Sequence, residues 1–211
     1  MQCPICNFKI YVYLEDMGKK YYKCEECEFI FLHREYILGA KEEMQRYALH
    51  QNNIGNKGYV EMFNCFIDKI ILSQKKRIQT ALDFGCGPGP VLAELLKRRG
   101  IETDIYDIYF APKKVYKNKQ YDLITSTEVF EHLASPLIIL QKMEQLLSIG
   151  GIIALMTVFH PQVSNTFKSW WYRRDPTHIS FYVQKTFEVL ANRVGLKLIY
   201  CDNKKNVVLS K

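Results

Sequence analysis

Long apolar runs are missing from this sequence of 211 residues. Stretches such as Ile152 to Val158 fall far short of the roughly 20 residues that cross a bilayer, so no membrane span is expected. The first residues, Met1-Gln2-Cys3-Pro4-Ile5-Cys6, lack the basic start and the continuous apolar region of a secretory signal, and a cytoplasmic location is expected. Internal repeats and low-complexity tracts are also missing. An even cysteine count is absent too: seven cysteines without an export signal speak against a disulfide framework and for metal binding. With 48% hydrophobic and 24% charged residues the chain reads as an ordinary globular protein, one medium domain with a small appendage rather than two equal domains. The net charge of +7 is dispersed over short groups, Lys75-Lys76-Arg77, Lys97-Arg98-Arg99 and Lys113-Lys114, each at an expected helix end or loop. Solvated surface accounts for them, and a polyanionic partner is the alternative.

Four of the cysteines are arranged for a metal. Cys3-x2-Cys6 and Cys24-x2-Cys27 are separated by seventeen residues, inside the spacing of two zinc knuckles whose four thiolates complete a tetrahedron. Such a sphere is closed to water, so the zinc is read as structural; buried thiols or a redox pair are the alternative. Between the pairs, Lys9 to Leu14 and Lys20 to Tyr22 alternate as a hairpin with Met17-Gly18 at its turn. The segment is too small to bury a core, so metal binding would supply its folding energy.

Residues 36–56 read as a polar connector, with Gly55 and Gly58 breaking regular structure. Tyr59, Met62, Phe63, Phe66, Ile67, Ile70 and Ile71 then recur at helical spacing. Beyond them strands and helices alternate: strands over 80–84, 102–108, 121–126 and 152–158, helices over 90–99, 136–148 and 186–194, and a closing hairpin of 197–201 with 207–209. The expected fold class is α/β, a doubly wound and mainly parallel sheet whose ligands bind beyond the carboxyl ends of its strands. Residues 109–120 are a Lys-rich bridge where one strand and helix of such a fold are missing or reduced.

Asp83-Phe84-Gly85-Cys86-Gly87-Pro88-Gly89-Pro90 lies between the first of these strands and its helix. Glycines there let the backbone turn sharply and let a ligand approach. The dinucleotide fingerprint requires glycine where this chain has Pro90, which counts against a nicotinamide cofactor. The loop instead resembles motif I of class I S-adenosylmethionine-dependent methyltransferases, with a Rossmann-like sheet. The resemblance implies that Asp107, eighteen residues beyond Gly89, binds the ribose hydroxyls of S-adenosylmethionine. It further implies that Asp83 lies near the methionine end, and that Gly85, Cys86, Gly87 and Gly89 line the cofactor. It continues through Tyr121 to Leu133, including Thr127 and Glu128, which looks like the family's strand-four motif. Tyr47, His50, Asn53 and Tyr59 look like the segment that folds over the cofactor in related methyltransferases. The expected organisation is thus a zinc-ribbon-like subdomain over 1–35, a helical connector covering the cofactor site over 36–78, and a methyltransferase domain over 79–211.

A second constellation, Trp170-Trp171-Tyr172-Arg173-Arg174-Asp175-Pro176-Thr177-His178-Ile179-Ser180-Phe181-Tyr182, follows the third apolar strand and should line the acceptor pocket. Arg173, Asp175 and His178 could orient a polar acceptor or serve as a base, with His178 the first candidate base and His132 the second. The alternative is a structural cap in which Arg174 pairs with Asp175. Glu128, Glu131 and His132, with His178 opposite, are similar to placements in ubiquinone-pathway O-methyltransferases and in methyltransferases of small-RNA 3′ ends. That likeness implies a magnesium or manganese ion there. The acceptor, an oxygen or nitrogen of a small molecule, an RNA or a protein, is left open by the sequence. A nicotinamide-dependent oxidoreductase and a zinc-knuckle nucleic-acid-binding module stand as rival functions.

Overall fold

The computed structural model describes residues 1–49 and 53–211. Four strands of the main sheet are parallel: β4 (Thr80–Phe84), β5 (Glu102–Tyr106), β6 (Tyr121–Thr127) and β7 (Leu147–Met156). The hairpin of β9 (Lys197–Cys201) and β10 (Asn206–Ser210) completes the sheet, β10 pairing antiparallel with β7 and β9 with β10, in the order β5-β4-β6-β7-β10-β9. Leu82, Leu123, Ile124, Ile153, Ala154 and Val208 are fully buried because helices cover both faces. Each such aliphatic side chain contributes roughly 1.5–3 kcal/mol of transfer free energy.

On one face pack α2 (Lys57–Phe66) and α3 (Val91–Arg98); on the other, α4 (Pro136–Gln145) and α6 (Gln184–Arg193). The apolar recurrence that predicts a helix after Tyr59 is satisfied by α2 and a wider π-helical turn over Ile67–Ile71, which together bury Phe63, Phe66, Ile67, Ile70 and Ile71. Because β4 leads outward to β5 and the chain then returns to β6 on the other side of β4, the strand order reverses at β4. A crevice opens above that point. Residues 109–120 form turns rather than a strand and helix, so β5 is the edge of the sheet.

Local reading and structure part company in a few places. The connector contains a helix, α1 (Ala40–Tyr47), whose first turn is capped where Glu42 accepts the Gly39 N–H at 3.2 Å. Gly58 lies inside α2, whose N-terminus is capped by the Asn56 side chain accepting from Tyr59 N at 3.1 Å, so only Gly55 stands outside helix. The strand expected from Ile152 starts at Leu147, and α4 ends at Gln145. Gly150-Gly151 is a bulge within β7, where the pairing shifts from Tyr121↔Leu147 to Leu123↔Ile152.

A second, antiparallel sheet runs β1 (Ile10–Asp16), β2 (Lys19–Cys24), β3 (Ile30–Leu32) and β8 (Ser180–Phe181). Met17 and Gly18 turn the β1–β2 hairpin with φ of +50° and +75°, the left-handed pair that matches strand twist. Its last strand, β8, comes from the far end of the chain.

Candidate active site and cysteine cluster

The glycine loop leaves β4 with Gly85 at φ +85° and Gly87 at φ +64°. Gly85 has no room for a side chain: a Cβ there would lie 2.3 Å from Val129 Cγ2. Its N–H donates to Tyr106 O at 2.7 Å, and the Gly87 N–H donates to Asp107 Oδ2 at 3.0 Å. Asp107 Oδ1 accepts from Tyr109 N and Phe110 N at 2.8 and 3.0 Å. One carboxylate beyond β5 therefore ties the glycine loop to the turn that follows β5. Beneath it Asp83 is buried, accepting from Thr125 Oγ1 at 2.9 Å. Burial pushes its pKa up to about 7, the Thr125 hydrogen bond opposing and the Asp107 charge adding to the rise. The Cys86 thiol is pushed up to about 12, chiefly by burial, and stays neutral.

The end of β6 supplies two acids. Glu128 sits at φ +54°, unusual for a side chain this long, and Glu131 is fully buried in the 3₁₀ turn Phe130–His132. The Tyr172 hydroxyl lies 2.6 Å from Glu131 Oε1 and 3.1 Å from Glu128 Oε2. A phenol has one proton to give, so it donates to Glu131 and accepts from a protonated Glu128. Burial, then the charge of Glu131, pushes Glu128 up to about 8, which agrees with that assignment. The histidines meet beside these acids, ring centroids 4.8 Å apart. His132 Nδ1–H donates to Thr177 O at 3.0 Å and His178 Nδ1–H to Tyr172 O at 2.7 Å, which fixes the orientation of both rings and turns Nε2 away from those carbonyls. Ligand atoms of Glu131, His132 and His178 all lie within 4.8 Å of one another.

These groups share one cavity of about 640 Å³. It takes in Asp83, Gly85, Cys86, Gly87, Gly89, Asp107, Thr127, Glu128, Tyr47, Tyr59, His132 and His178. Asn53 is not among the lining; its Oδ1 accepts Gly55 N at 3.0 Å, and His50 lies outside the described residues. Arg173 points away from the cavity into an ion pair with Asp16, and Asp175 pairs with Arg46 rather than Arg174. Sequence reading missed Glu43, Val129 and Tyr109. Glu43 on α1 accepts from Tyr109 and Tyr47, and no local motif marks it. Among the described residues the lining holds six carboxylates, Glu43, Asp83, Asp107, Glu128, Glu131 and Asp175, and neither Lys nor Arg.

The four N-terminal cysteines converge at the open end of the β1–β2 hairpin. Sγ–Sγ distances are 3.6 Å for Cys3–Cys27, 3.4 Å for Cys6–Cys24 and 3.7 Å for Cys6–Cys27. A tetrahedron with Zn–S bonds of about 2.3 Å has edges of about 3.8 Å, so the sulfurs fit that ion. Ile5 N–H and Cys27 N–H each donate to the Sγ of the first cysteine of their pair, at 3.5 Å, helping to hold the thiolates.

The family described as a methyltransferase domain matches residues 59–200. The ubiquinone biosynthesis O-methyltransferase of Histophilus somni (strain 2336) is 28% identical over 127 residues, 47% of this chain and 49% of that protein. The chain thus spans about half the length of this curated relative. Among solved structures, magnesium protoporphyrin IX methyltransferase from Synechocystis PCC 6803, with bound SAM, superposes with a TM-score of 0.53 at 11% identity, covering 84% of this chain and 94% of that one. The mitomycin 7-O-methyltransferase MmcR gives 0.52 at 11% identity, covering 81% and 67%. These structural likenesses bear on the fold.

Proposed function

The chain belongs to the methyltransferase-domain family, and we propose that it transfers the methyl group of S-adenosylmethionine to an oxygen or nitrogen acceptor. The observation that carries this reading is the Asp107 carboxylate bound to the Gly87 N–H across the crevice at the reversal of strand order. Asp107 takes a ribose hydroxyl on a remaining lone pair of Oδ2. Gly85, Cys86, Gly87 and Gly89 give their backbone to the cofactor, Asp83 faces its ammonium group, and Tyr47, Tyr59, Thr127 and Glu128 enclose it. A nicotinamide dinucleotide fits less well, since Pro90 stands where its fingerprint has glycine and its pyrophosphate would enter a lining rich in acidic side chains. The same lining favours a cofactor of net positive charge over its neutral demethylated product, which helps release after transfer.

The sulfonium is already activated, so alignment with the acceptor supplies most of the rate. Where the acceptor must lose a proton, His178 Nε2 is the base and His132 Nε2 its alternate, each ring oriented through Nδ1. In the alternative to the base role, Glu131, His132 and His178 would hold a magnesium or manganese ion, the histidines through the same Nε2 atoms, and the ion would supply Lewis acidity toward an acceptor hydroxyl. The fit is supported by Glu131 Oε2, which is buried without a hydrogen-bond partner among the described residues. Calorimetric titration of chelator-treated, zinc-replete protein should give saturable heat with one of these ions and none in Glu131→Gln. No heat from either ion in the unaltered protein would remove the divalent site and leave the base mechanism. The cysteine cluster is read as a structural zinc site. Its segment, residues 1–35, holds five Lys and Arg against six Asp and Glu, which disfavours a knuckle that binds nucleic acid through charge.

The reading is tested by calorimetry with S-adenosylmethionine across pH. Asp83 must ionise to pair with the ammonium group, and its pKa in the free protein is about 7. Affinity is therefore expected to rise about tenfold per pH unit below 7 and to level off above it, relative to Asp83→Asn, whose profile lacks that rise. Parallel profiles for the two proteins would remove Asp83 from the ligand. Absence of binding at every pH would remove the function.

A further inference from the structure

The wall of the cavity over 170–178 has little regular structure of its own. It lies between β7 and α6, in a stretch whose elements are α5 (Ser164–Ser169), one 3₁₀ turn (Tyr172–Arg174) and the two-residue β8. Such a segment does not hold a tyrosine and a histidine in place by itself: Glu131, Glu128, His132 and Arg46 hold it from the cavity side, and the cysteine-clamped hairpin holds Arg173 and the residues that flank the wall. Arg173 Nη2 donates to Asp16 Oδ2 at 2.7 Å, with the side chains only 10% and 15% exposed, and the guanidinium lies 5.2 Å from the Tyr21 ring. Tyr13 OH donates to Gln162 O at 3.0 Å, Lys23 to Gln162 Oε1 at 3.2 Å, and Ser164 to Tyr13 O at 3.3 Å. Among the described residues β8 pairs only with β3, through Ile30↔Phe181 and Phe31↔Ser180. The apolar core between them is shared: Tyr21, Ile30 and Leu32 from the hairpin sheet, Phe167, Tyr172, Ile179 and Phe181 from the wall.

Tyr172 and Arg173 leave the same turn in opposite directions, Tyr172 to Glu131 and Glu128, Arg173 to Asp16. Asp16 closes the hairpin tip, and Cys24 ends β2 at the other end. Cys3, Ile5, Cys24, Cys27 and Phe29 pack into the main core, and a hairpin this small would gain further folding energy from a bound metal. The cofactor half of the cavity, on β4 and β5, takes no hydrogen bond from the hairpin among the described residues.

We propose that Arg173 is a positioning residue through which the metal-clamped hairpin holds Tyr172 and His178 in the acceptor wall, so that the state of the cysteine cluster sets whether the acceptor half of the cavity is formed. This rests on reading the cluster as a zinc site and the cavity as a methyl-transfer site. The cluster is thereby more than a staple for the N-terminus: it completes the part of the site that touches the acceptor, 150 residues away in the chain, and leaves the cofactor half alone.

The chain supplies its own reporter, because its two tryptophans, Trp170 and Trp171, both lie in this wall. Tryptophan emission and acrylamide quenching are read on zinc-replete protein, on protein stripped by a chelator, and on zinc-replete Arg173→Ala and Arg173→Lys. S-adenosylhomocysteine affinity and far-UV circular dichroism are measured on each. Stripping and Arg173→Ala should both shift emission to the red and increase quenching, while Arg173→Lys, which keeps a cation for Asp16, restores the parent spectrum at least in part. Affinity for S-adenosylhomocysteine should stay within about twofold throughout, as for sites that do not share partners. Unchanged emission on stripping overturns the proposal. A shift on stripping without one in Arg173→Ala overturns the assignment to Arg173. Loss of S-adenosylhomocysteine binding or of helical signal along with the shift also overturns it, since the metal would then support the whole fold. If the replete parent protein does not bind S-adenosylhomocysteine, the cofactor reading fails, and the emission comparison still decides the role of Arg173.

Discussion

Asp107→Ala is expected to weaken S-adenosylmethionine binding by about 100-fold or more, measured by calorimetry at neutral pH. The carboxylate accepts three backbone N–H groups, from Gly87, Tyr109 and Phe110, and so shapes both lips of the cavity before any ligand arrives. Hydrogen bonds to a charged acceptor contribute about 1.5–3 kcal/mol each, and losing a ribose contact together with the loop's anchor amounts to roughly 3 kcal/mol, two decades of affinity. Asp107→Asn keeps an acceptor oxygen and is expected to lose about tenfold, since the charge assistance is gone. The control lies three residues back, within β5. Asp104 bonds Lys119 and Tyr121 outside the cavity, so Asp104→Ala should lower the unfolding temperature and leave affinity unchanged. Equal losses in the Asp104 and Asp107 variants would sink the ligand role of Asp107.

The second large effect is expected at Gly85. Alanine there meets Val129 Cγ2 at 2.3 Å, with Cγ1 and Cβ of the same residue at 3.2 and 3.3 Å, on a backbone already at φ +85°. The left-handed conformation costs about 1–2 kcal/mol for a residue with a Cβ. Relieving the overlap requires either Val129 to shift or the loop to move off its Tyr106 and Asp107 anchors. Cofactor binding is expected to fall below detection, with a lower unfolding temperature. Gly100→Ala provides the comparison, because φ is +80° but nothing lies within 4 Å of the added Cβ: stability should fall modestly and binding persist. Combining Gly85→Ala with Val129→Ala removes the overlapping methyl groups and should restore measurable binding. Failure to restore any would mean that strain in the backbone, not contact with Val129, makes glycine necessary.

The two variants probe residues whose importance differs in how openly the chain displays it. Asp107 and Gly85 are legible because a glycine run between a strand and a helix, and an acid at the next strand's end, are local patterns with a local cause. Val129 carries no such mark. It looks like any apolar residue in the strand-four motif, and only the fold brings it against Gly85. Glu43 is similar: it sits in a segment rich in Glu, Gln and Asn that reads as connector, and becomes part of the cavity because α1 lies against Tyr109. Arg173 shows the reverse error. Its aromatic and basic company suggests a pocket residue, but on a tight turn adjacent side chains diverge, and the Asp16 carboxylate waits on the side away from the cavity.

What the amino-acid sequence determines by itself is the chemistry that depends on near neighbours. Two cysteine pairs can each form a knuckle, glycines can take φ values above zero, and alternating apolar runs must become covered strands and helices, because bonding and solvent enforce these within a few turns of chain. Only the tertiary structure decides what those parts face. The pairing of β3 with β8, the meeting of His132 with His178 and the hydrogen-bonded chain Glu128–Tyr172–Glu131 depend on segments about 40 to 150 residues apart. A two-residue strand has no periodicity to read, and a buried carboxylate's charge state is set by groups that the chain brings to it only when it folds.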